Sequence, residues 1–279
     1  MDCTSPVNVR GDLFPCGKCI NCRARSRQEW VFRLRMEYRS SDFGLFVTLT
    51  YDDDHLPPDG VSKRDVQLFL KRLRKNFDSW TLRYYICSEY GDHTYRAHYH
   101  ALLFFVGIKR NAELYDIITR SWQNGFVDFG EIEEGSIVYV TKYCLKGSDV
   151  PPGMNDNFRL LSKMHGGLGV DYIEDQFDYH LQRLDKPTYV HLEGHSAPMP
   201  RYYRTKIIGT LDQTDKEMIS TMYMQSMLAY RKERDEKVRR RYFIRHPNAS
   251  EHDFIMWKHG VEDRRSELYL KHTKKQNKL

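Results

Sequence analysis

The sequence predicts an α+β fold: an antiparallel sheet of the split βαβ, ferredoxin-like type with helices on one face. Segments rich in β-branched and aromatic residues alternate with segments whose apolar residues recur every three or four positions. Their order between residues 41 and 150 is strand, helix, strand, strand, helix, strand, helix, which is the split βαβ order. The strands that contain Leu45 and His98 would be the two central ones, and the uncovered face of the sheet would suit nucleic acid.

Composition and charge set the broad class of the protein. With 279 residues, 40% of them hydrophobic, the chain can bury one good core and carry additions at both ends. The formal net charge of +6 and the 19 tyrosines favour a polyanionic partner. The sequence has no stretch of membrane-spanning length and no apolar N-terminal signal, so we expect a soluble, cytoplasmic protein without a membrane partner.

Changes in composition along the chain predict four segments. They are a Cys-rich basic N-terminal arm (1–40), the sheet core (41–150), a glycine-rich and basic-aromatic extension of the core (151–210) and a helical basic C-terminal region (211–279). The arm contains a helix with a basic polar face, in which Trp30 and Leu34 are apolar. We expect this helix to dock the arm.

The first half of the core contains three strands and a helix. Leu45 to Tyr51 is the first strand, and Ser62 with Asp65 three residues later predicts the start of a helix. The apolar residues of that helix are Val66, Phe69, Leu70, Leu73 and Phe77. Leu82 to Tyr90 and the strand that contains His98 form a hairpin about Gly91.

The second half of the core contains two helices around one strand. Asn111 is the expected N-cap of a helix whose buried stripe includes Leu114 and Trp122, and Gly125 to Gly130 is the fourth strand. Ser136 is expected to cap a short helix from Ile137 to Lys146, which Gly147 would end.

Two histidines in the third strand have the spacing of metal ligands. His98 and His100 are two residues apart, so their side chains project from the same face of the strand. Glu89, near the end of the preceding strand, would lie beside them across the hairpin and supply a third ligand for a divalent cation. The alternative is a pair of surface histidines and an exposed carboxylate at a strand end.

Four of the six cysteines lie in the first 22 residues. Cys16, Cys19 and Cys22 form a Cys-x2-Cys-x2-Cys run, and Cys3 could loop back to complete a tetrahedral thiolate site for Zn2+. The alternatives are an iron–sulfur cluster and an unliganded turn. Arg23, Arg25 and Arg27 follow at once and would present a basic edge to phosphates.

The pattern Tyr-x-x-Lys occurs twice in succession in the predicted short helix, as Tyr139 with Lys142 and Tyr143 with Lys146. Residues four apart share a helical face, so the two tyrosines would point the same way, and so would the two lysines. A metal that polarises a phosphate makes a tyrosine hydroxyl a feasible nucleophile. The alternative is a pair of half-buried core tyrosines.

Beyond residue 150 the pattern is less regular. Gly166 to Gly169 indicates a loop, without the flanking residues of a nucleotide-binding motif. Pro198 to Arg204 predicts a rigid extended segment in which Arg201, Tyr202, Tyr203 and Arg204 could contact phosphates and bases, although core packing of the tyrosines is equally compatible. A long helix is expected from Asp212 to about Arg245, and a basic frayed tail through Lys271, Lys274, Lys275 and Lys278.

Together these motifs resemble a known enzyme family. Phe46 to Tyr51, His98-Tyr99-His100 and Tyr139-x-x-x-Tyr143 resemble the HUH endonucleases that initiate rolling-circle replication. The Cys-Gly-Lys-Cys run, Ser88 to Gly91 and Pro200 to Tyr203 are similar to the replication initiators of gokushovirus-type microviruses. The resemblance implies the HUH endonuclease fold and a protein located in the cytoplasm of a bacterial host.

The resemblance also implies a reaction. Glu89, His98 and His100 would hold Mg2+ or Mn2+, and Tyr139 or Tyr143 would attack single-stranded DNA at the replication origin. The products would be a 5′ phosphotyrosine and a 3′ hydroxyl, which a host DNA polymerase extends with the help of a host helicase. Lys142 and Lys146 would stabilise negative charge, and the second tyrosine would later allow the ends to rejoin.

Three other functions fit parts of the pattern. A single-strand transposase or a relaxase would use the same chemistry on another product. A binding module without enzymatic activity would present aromatic side chains on the sheet to bases. An RNA phosphodiesterase would use His98 and His100 as acid and base, with no divalent metal and no tyrosine adduct.

Overall fold

The computed structural model describes residues 3–9, 11–76, 81–91, 94–142, 150–182, 189–192 and 195–275. The chain divides into two compact units, Cys3–Glu174 and Asp175–Leu279, which are described separately. Within the described ranges, no helix combines the length and the apolar character needed to cross a membrane.

The first unit is an α+β structure built on a five-stranded antiparallel sheet, with a two-stranded hairpin before it. Its elements are β1 (Val7–Val9), β2 (Asp12–Phe14), α1 (Ile20–Ser40), β3 (Phe43–Tyr51), α2 (Lys63–Lys75), β4 (Thr81–Tyr90), β5 (Ala97–Val106), α3 (Ala112–Ser121), β6 (Gly125–Glu131), α4 (Glu134–Lys142) and β7 (Arg159–Leu161).

The strand order of the sheet is β6-β3-β5-β4-β7, and all neighbours are antiparallel. The order of elements from β3 to α4 is the predicted one, and β3 and β5 lie side by side at the centre of the four predicted strands. The short strand β7, which pairs with β4 at the edge, was not predicted. The fold is therefore compatible with the split βαβ class.

The predicted helix starts are confirmed at two positions. The side chain of Ser62 accepts a hydrogen bond from the Asp65 amide at the start of α2, and that of Asn111 accepts one from the Leu114 amide at the start of α3. Helix α4 begins two residues earlier than expected, so Ser136 lies inside its first turn and accepts from the Glu133 amide. Phe77 and Gly147 lie outside the described residues.

The prediction that the helices lie on one face of the sheet is wrong. Helices α2 and α3 cover one face, where Leu49 and Leu103 belong to the same buried cluster as Phe69 and Ile118. On the other face, α1 and α4 form a second buried cluster with β4 and β5. Its members include Leu34, Tyr85, Leu102, Phe104, Ile137 and Val140.

The physical reason is the composition of the strands. Residues 101–106 of β5 form an unbroken apolar run, so the strand is apolar on both faces. Such a strand must be covered on both faces to remove its side chains from water. The half of the second face over which α1 and α4 pack is thus closed to nucleic acid.

A chain of buried hydroxyl groups connects α2 to both central strands. The Tyr51 hydroxyl donates a hydrogen bond to Asp65 Oδ2 and lies 2.8 Å from the Tyr99 hydroxyl. The Ser62 amide donates to the Tyr99 hydroxyl over 2.7 Å. Burial raises the pKa of Tyr99 to about 12, so this hydroxyl stays neutral near pH 7. These bonds join the first turn of α2 to β3 and β5 on the face opposite His98 and His100.

The glycine-rich segment 166–169 is a loop, as predicted, and it is packed against α1 and β4. The Gly169 amide donates to Glu37 Oε2 over 2.6 Å, and Arg33 donates to the Leu168 carbonyl. Glu37 is buried and forms an ion pair with Arg83, whose Nε lies 2.6 Å from its Oε1. The loop is therefore part of the packing of the first unit.

The second unit is mainly helical. The elements that follow β7 are α5 (Asp171–Leu181), β8 (Tyr189–Leu192), β9 (His195–Pro198), α6 (Arg201–Gly209), α7 (Gln213–Arg245) and α8 (Glu251–Lys275). The expected helix after Asp212 is confirmed as α7, whose N-cap is Asp212.

Two sequence predictions for the second unit are wrong. The expected extended segment through Arg204 becomes helical at Arg201, directly after Pro200, because proline is well suited to a helix start. The expected basic tail is helical as far as Lys275, which includes Lys271 and Lys274, while Lys278 lies outside the described residues. A reciprocal pair of hydrogen bonds between Ser250 and Asp253 starts this last helix.

Candidate metal centre and nucleophile

The hairpin of β4 and β5 brings Glu89, His98 and His100 together. Glu89 lies directly opposite His98 in the register, and His100 follows two residues later on the same face. The ligand atoms of the three side chains all lie within 4.8 Å of one another. Glu89 and His100 are buried, and His98 is partly exposed, which leaves one open side for a substrate.

The partners of the histidines turn their Nε2 atoms toward Glu89. His98 Nδ1 lies 3.0 Å from the Arg96 carbonyl oxygen, which can only accept, so Nδ1 carries the proton and Nε2 is an acceptor. The corresponding tautomer of His100 donates from Nδ1 to Thr48 Oγ1 over 3.2 Å. Hydrogen bonds of this kind commonly orient metal-ligating histidines.

Three acceptor atoms therefore face one another in this cluster. Glu89 Oε2 lies 3.3 Å from His98 Nε2 and 3.2 Å from His100 Nε2. Such an arrangement is repulsive unless a cation or an imidazole proton lies between the atoms. Adjacent ligands of an octahedral ion at about 2.1 Å would be about 3.0 Å apart, close to these separations. The residues thus fit a divalent cation.

Burial acts on the protonation state of His100. It lowers the pKa of His100 below its ordinary value, against the opposing effect of Glu89, and the positive charges of His98 and Lys142 act in the same direction as burial. The neutral imidazole, which is the form that binds metal ions, is favoured.

Helix α4 places a tyrosine beside this cluster. The Tyr139 hydroxyl lies 3.4 Å from His100 Nε2. Lys142, one turn later, is buried, and its Nζ lies 3.6 Å from the centre of the Tyr139 ring. The cluster thus combines a metal-ligand set, a hydroxyl nucleophile and a cation that favours negative charge on the ring. Tyr143 and Lys146 lie outside the described residues.

Sequence reasoning assigned no role to two residues of β3 that support the site. Thr48 contacts His100 Nδ1, and the Phe46 ring stacks on the His100 ring with a centroid distance of 5.6 Å. Both side chains lie on the same face of the sheet as the histidines. The signal for Thr48 was available, because it is a polar residue at an alternating position of a central strand that pairs with His100.

The four N-terminal cysteines form a second cluster. The Sγ atoms of Cys3, Cys16, Cys19 and Cys22 all lie within 4.8 Å of one another. Hydrogen bonds from the backbone amides of Cys19 and Lys18 lower the pKa of the Cys16 thiol. Thiolate formation, which metal binding requires, is thereby favoured at Cys16.

The basic and aromatic residues predicted to contact DNA are not all available. Arg27 is buried and donates to the Val138 carbonyl of α4 over 2.9 Å, so its role is structural. Arg25 is exposed and Arg23 partly exposed. In the second unit, Tyr203 is fully buried and has no ring face for a base, whereas Arg201 is exposed and Tyr202 and Arg204 are partly exposed.

Comparison with known proteins shows a clear similarity. Residues 44–148 match a family model that describes replication-associated proteins of the ORF2 type. The chain is 31% identical over 244 residues to the replication-associated protein VP4 of Bdellovibrio phage phiMH2K, which covers 73% of this chain and 76% of that protein. It is 29% identical to replication-associated protein ORF4 of Chlamydia phage 1, covering 75% of this chain and 57% of that protein.

A third relative comes from a different host group. The chain is 27% identical to replication-associated protein ORF2 of Spiroplasma virus 4, covering 84% of this chain and 76% of that protein. No solved structure is significantly similar to this chain.

Proposed function

Because the chain belongs to the family of phage replication-associated proteins, with a role in the initiation of phage replication, we propose that it nicks single-stranded DNA at the replication origin. A tyrosine would become linked to the 5′ end, and the freed 3′ hydroxyl would prime rolling-circle synthesis. The observation that carries this proposal is the Tyr139 hydroxyl 3.4 Å from His100 Nε2, beside three converging ligand atoms.

Glu89, His98 and His100 would hold Mg2+ or Mn2+. Their two imidazoles favour Mn2+, because nitrogen ligands suit it better than Mg2+. When bound, the ion would neutralise charge that develops on the scissile phosphate. Thr48 and the Arg96 carbonyl would keep both Nε2 atoms directed at this position.

Tyr139 would perform the attack. Its hydroxyl loses a proton to solvent, the bond from its oxygen to phosphorus forms, and the bond from phosphorus to the 3′ oxygen breaks. The departing 3′ oxygen takes up a proton, so the reaction exchanges one phosphodiester for another. Lys142, 3.6 Å from the centre of the Tyr139 ring, would stabilise the phenolate on the way to the transition state.

Tyr143 and Lys146 would provide the same pair of groups for a second strand transfer. Four residues separate the two tyrosines, so a helix that continues beyond Lys142 would place both on one face. The second tyrosine would cut the regenerated origin, and the released 3′ hydroxyl would then rejoin the first 5′ end. A host helicase and a host DNA polymerase are the partners that this cycle requires.

Exposed cationic and aromatic residues would hold the DNA. Arg23 and Arg25 on α1 would contact phosphates of the bound strand, as would Arg201 and Arg204 on α6. Tyr202 would stack on a base. Arg27 and Tyr203 are excluded from this set because both are buried.

The test uses end-labelled single-stranded oligonucleotides that tile the genome carrying the gene, incubated with the protein and Mn2+ or with a chelator. We expect one oligonucleotide to yield a metal-dependent protein–DNA adduct that survives denaturation and carries the label of the downstream piece. Tyr139→Phe and Tyr143→Phe should each retain some single-turnover cleavage, and the double variant none. Tyr95→Phe, which removes an exposed hydroxyl, is the matched control. Cleavage by the double variant would refute the assignment, and binding without any adduct would leave a single-strand binding module.

A further inference from the structure

The hairpin β1–β2 brings Cys3 back to the other N-terminal cysteines. Val7 pairs with Phe14 and Val9 with Asp12, so the segments before and after the hairpin run side by side. The Cys16 amide donates a hydrogen bond to Cys3 Sγ over 3.2 Å. The loop-back that the sequence alone only allowed is therefore present.

The hairpin itself has little to hold it in place. Its apolar side chains Val7, Val9, Leu13 and Phe14 are between 48% and 69% exposed. A two-stranded hairpin is marginally stable at best in water without a hydrophobic face to pack. The cysteine cluster at its base is the feature that can fix it.

The spacing of the sulfur atoms matches a single tetrahedral ion. A Zn–S distance of about 2.3 Å places neighbouring sulfurs of a tetrahedron about 3.8 Å apart. The Sγ atoms of Cys19 and Cys3 are separated by 3.8 Å, and all four lie within 4.8 Å of one another. An iron–sulfur cluster places several atoms between the cysteine sulfurs and would hold them farther apart.

Backbone amides surround the sulfurs in the way expected for a metal-bound turn. Cys16 Sγ accepts hydrogen bonds from the amides of Lys18, over 3.4 Å, and Cys19, over 3.3 Å. Such bonds stabilise the negative charge of a thiolate. They require the Cys16-Gly-Lys-Cys19 turn to fold back on its first sulfur, where Gly17 adopts a positive φ of 72°.

From this geometry we propose that Cys3, Cys16, Cys19 and Cys22 bind one structural Zn2+. The ion anchors the β1–β2 hairpin to the start of α1, because Cys19 is the N-cap of that helix and Cys22 lies in its first turn. Helix α1 in turn holds α4 through the hydrogen bond from Arg27 to Val138 and the ion pair of Arg35 with Glu134. The zinc site thus supports the helix that carries Tyr139 without contacting the substrate.

The experiment measures zinc in the full-length protein with the second metal cluster removed. In a His98→Ala/His100→Ala background, we expect about one zinc per chain. Replacement by Co2+ should give the intense visible bands of a tetrahedral tetrathiolate ion. The Cys16→Ser/Cys19→Ser variant should lose the metal to a chelating dye that leaves the parent loaded. Cys87→Ala, which removes a buried cysteine outside the cluster, is the matched control and should keep its zinc.

Hydrogen exchange then tests the structural role. Removal of the zinc should speed amide exchange in the first turns of α1 and in α4, and leave α8 unchanged. If the cysteine variants fail to fold, the cobalt spectrum of the parent decides the question. The proposal is overturned if the folded parent binds no zinc, if it binds iron instead, if the cobalt spectrum lacks thiolate bands, or if the double cysteine variant keeps its zinc against the dye. Unchanged exchange in α1 would overturn the anchoring role.

Discussion

Lys142→Met tests whether the buried cation assists the attack by Tyr139. Lys142 is only 2% exposed, and its Nζ lies 3.6 Å from the centre of the Tyr139 ring. Methionine has a similar length and no charge. Replacing a buried charge by an apolar side chain of similar volume is often tolerated or stabilising, so the variant should fold.

The structure allows the size of the effect to be worked out. A desolvated cation over an aromatic ring contributes about 2 kcal/mol, and more once the ring carries negative charge. A loss of about 2 kcal/mol in the transition state slows the reaction about 30-fold. Binding of Mn2+ should respond differently. Because the charge of Lys142 opposes positive charge near His100, its removal should leave Mn2+ affinity unchanged or increase it.

The assay is single-turnover formation of the protein–DNA adduct at saturating Mn2+, with Mn2+ affinity measured separately by calorimetry. Lys71→Met is the matched control, since it makes the same charge change at an exposed position of α2, on the opposite face of the sheet. We expect the adduct to form about 30-fold more slowly in Lys142→Met and at an unchanged rate in Lys71→Met. An unchanged rate in Lys142→Met, or a rate loss explained by weaker Mn2+ binding, would refute the reasoning.

Three further predictions concern the support of the site. Thr48→Val removes the partner of His100 Nδ1 and should weaken Mn2+ binding about tenfold or more in calorimetry; an unchanged affinity would contradict the orienting role. Leu34→Ala opens a cavity in the cluster beneath α4 and should lower the free energy of unfolding by about 2–5 kcal/mol in denaturant titration, whereas a neutral result would mean that α1 does not hold that face. Arg83→Met leaves the buried Glu37 carboxylate without its cation and should cost about 3–5 kcal/mol at about pH 7. Because burial raises the pKa of Glu37, the cost is complete above its folded pKa and disappears below its unfolded pKa, so the deficit should shrink on acidification; a deficit that does not change with pH would count against the pair.

Much of the core could be predicted because the decisive signals are local. Ser62 and Asn111 cap their helices through bonds that span three residues, and the hairpin about Gly91 places Glu89 opposite His98. A prediction of a three-residue ligand cluster needs only this register and the alternation of side chains along a strand. Both are properties of short segments.

The features that were missed depend on contacts between distant segments. Whether Arg27 faces DNA or the Val138 carbonyl is decided by packing across 111 residues of sequence, which periodicity does not reveal. The burial of Tyr203 and the coverage of the second sheet face by α1 have the same origin. The last helix was missed for a different reason, because its composition is that of a charged tail and only the Ser250–Asp253 capping pair marks its start.

The pairing of β5 has a consequence for how this sequence can vary. Tyr99, between His98 and His100, is fully buried on the opposite face and bonded there to Tyr51 and Ser62. Insertion or deletion of one residue between the start of β5 and Leu103 would exchange the two faces, putting an imidazole among the core side chains and a core aromatic at the metal site. Single substitutions at many positions of this strand would cost only part of the stability, but a change in its length would abolish core and site together. Length variation in this part of the chain should therefore be confined to the turn between Tyr90 and Ala97 and to the segment after Val106.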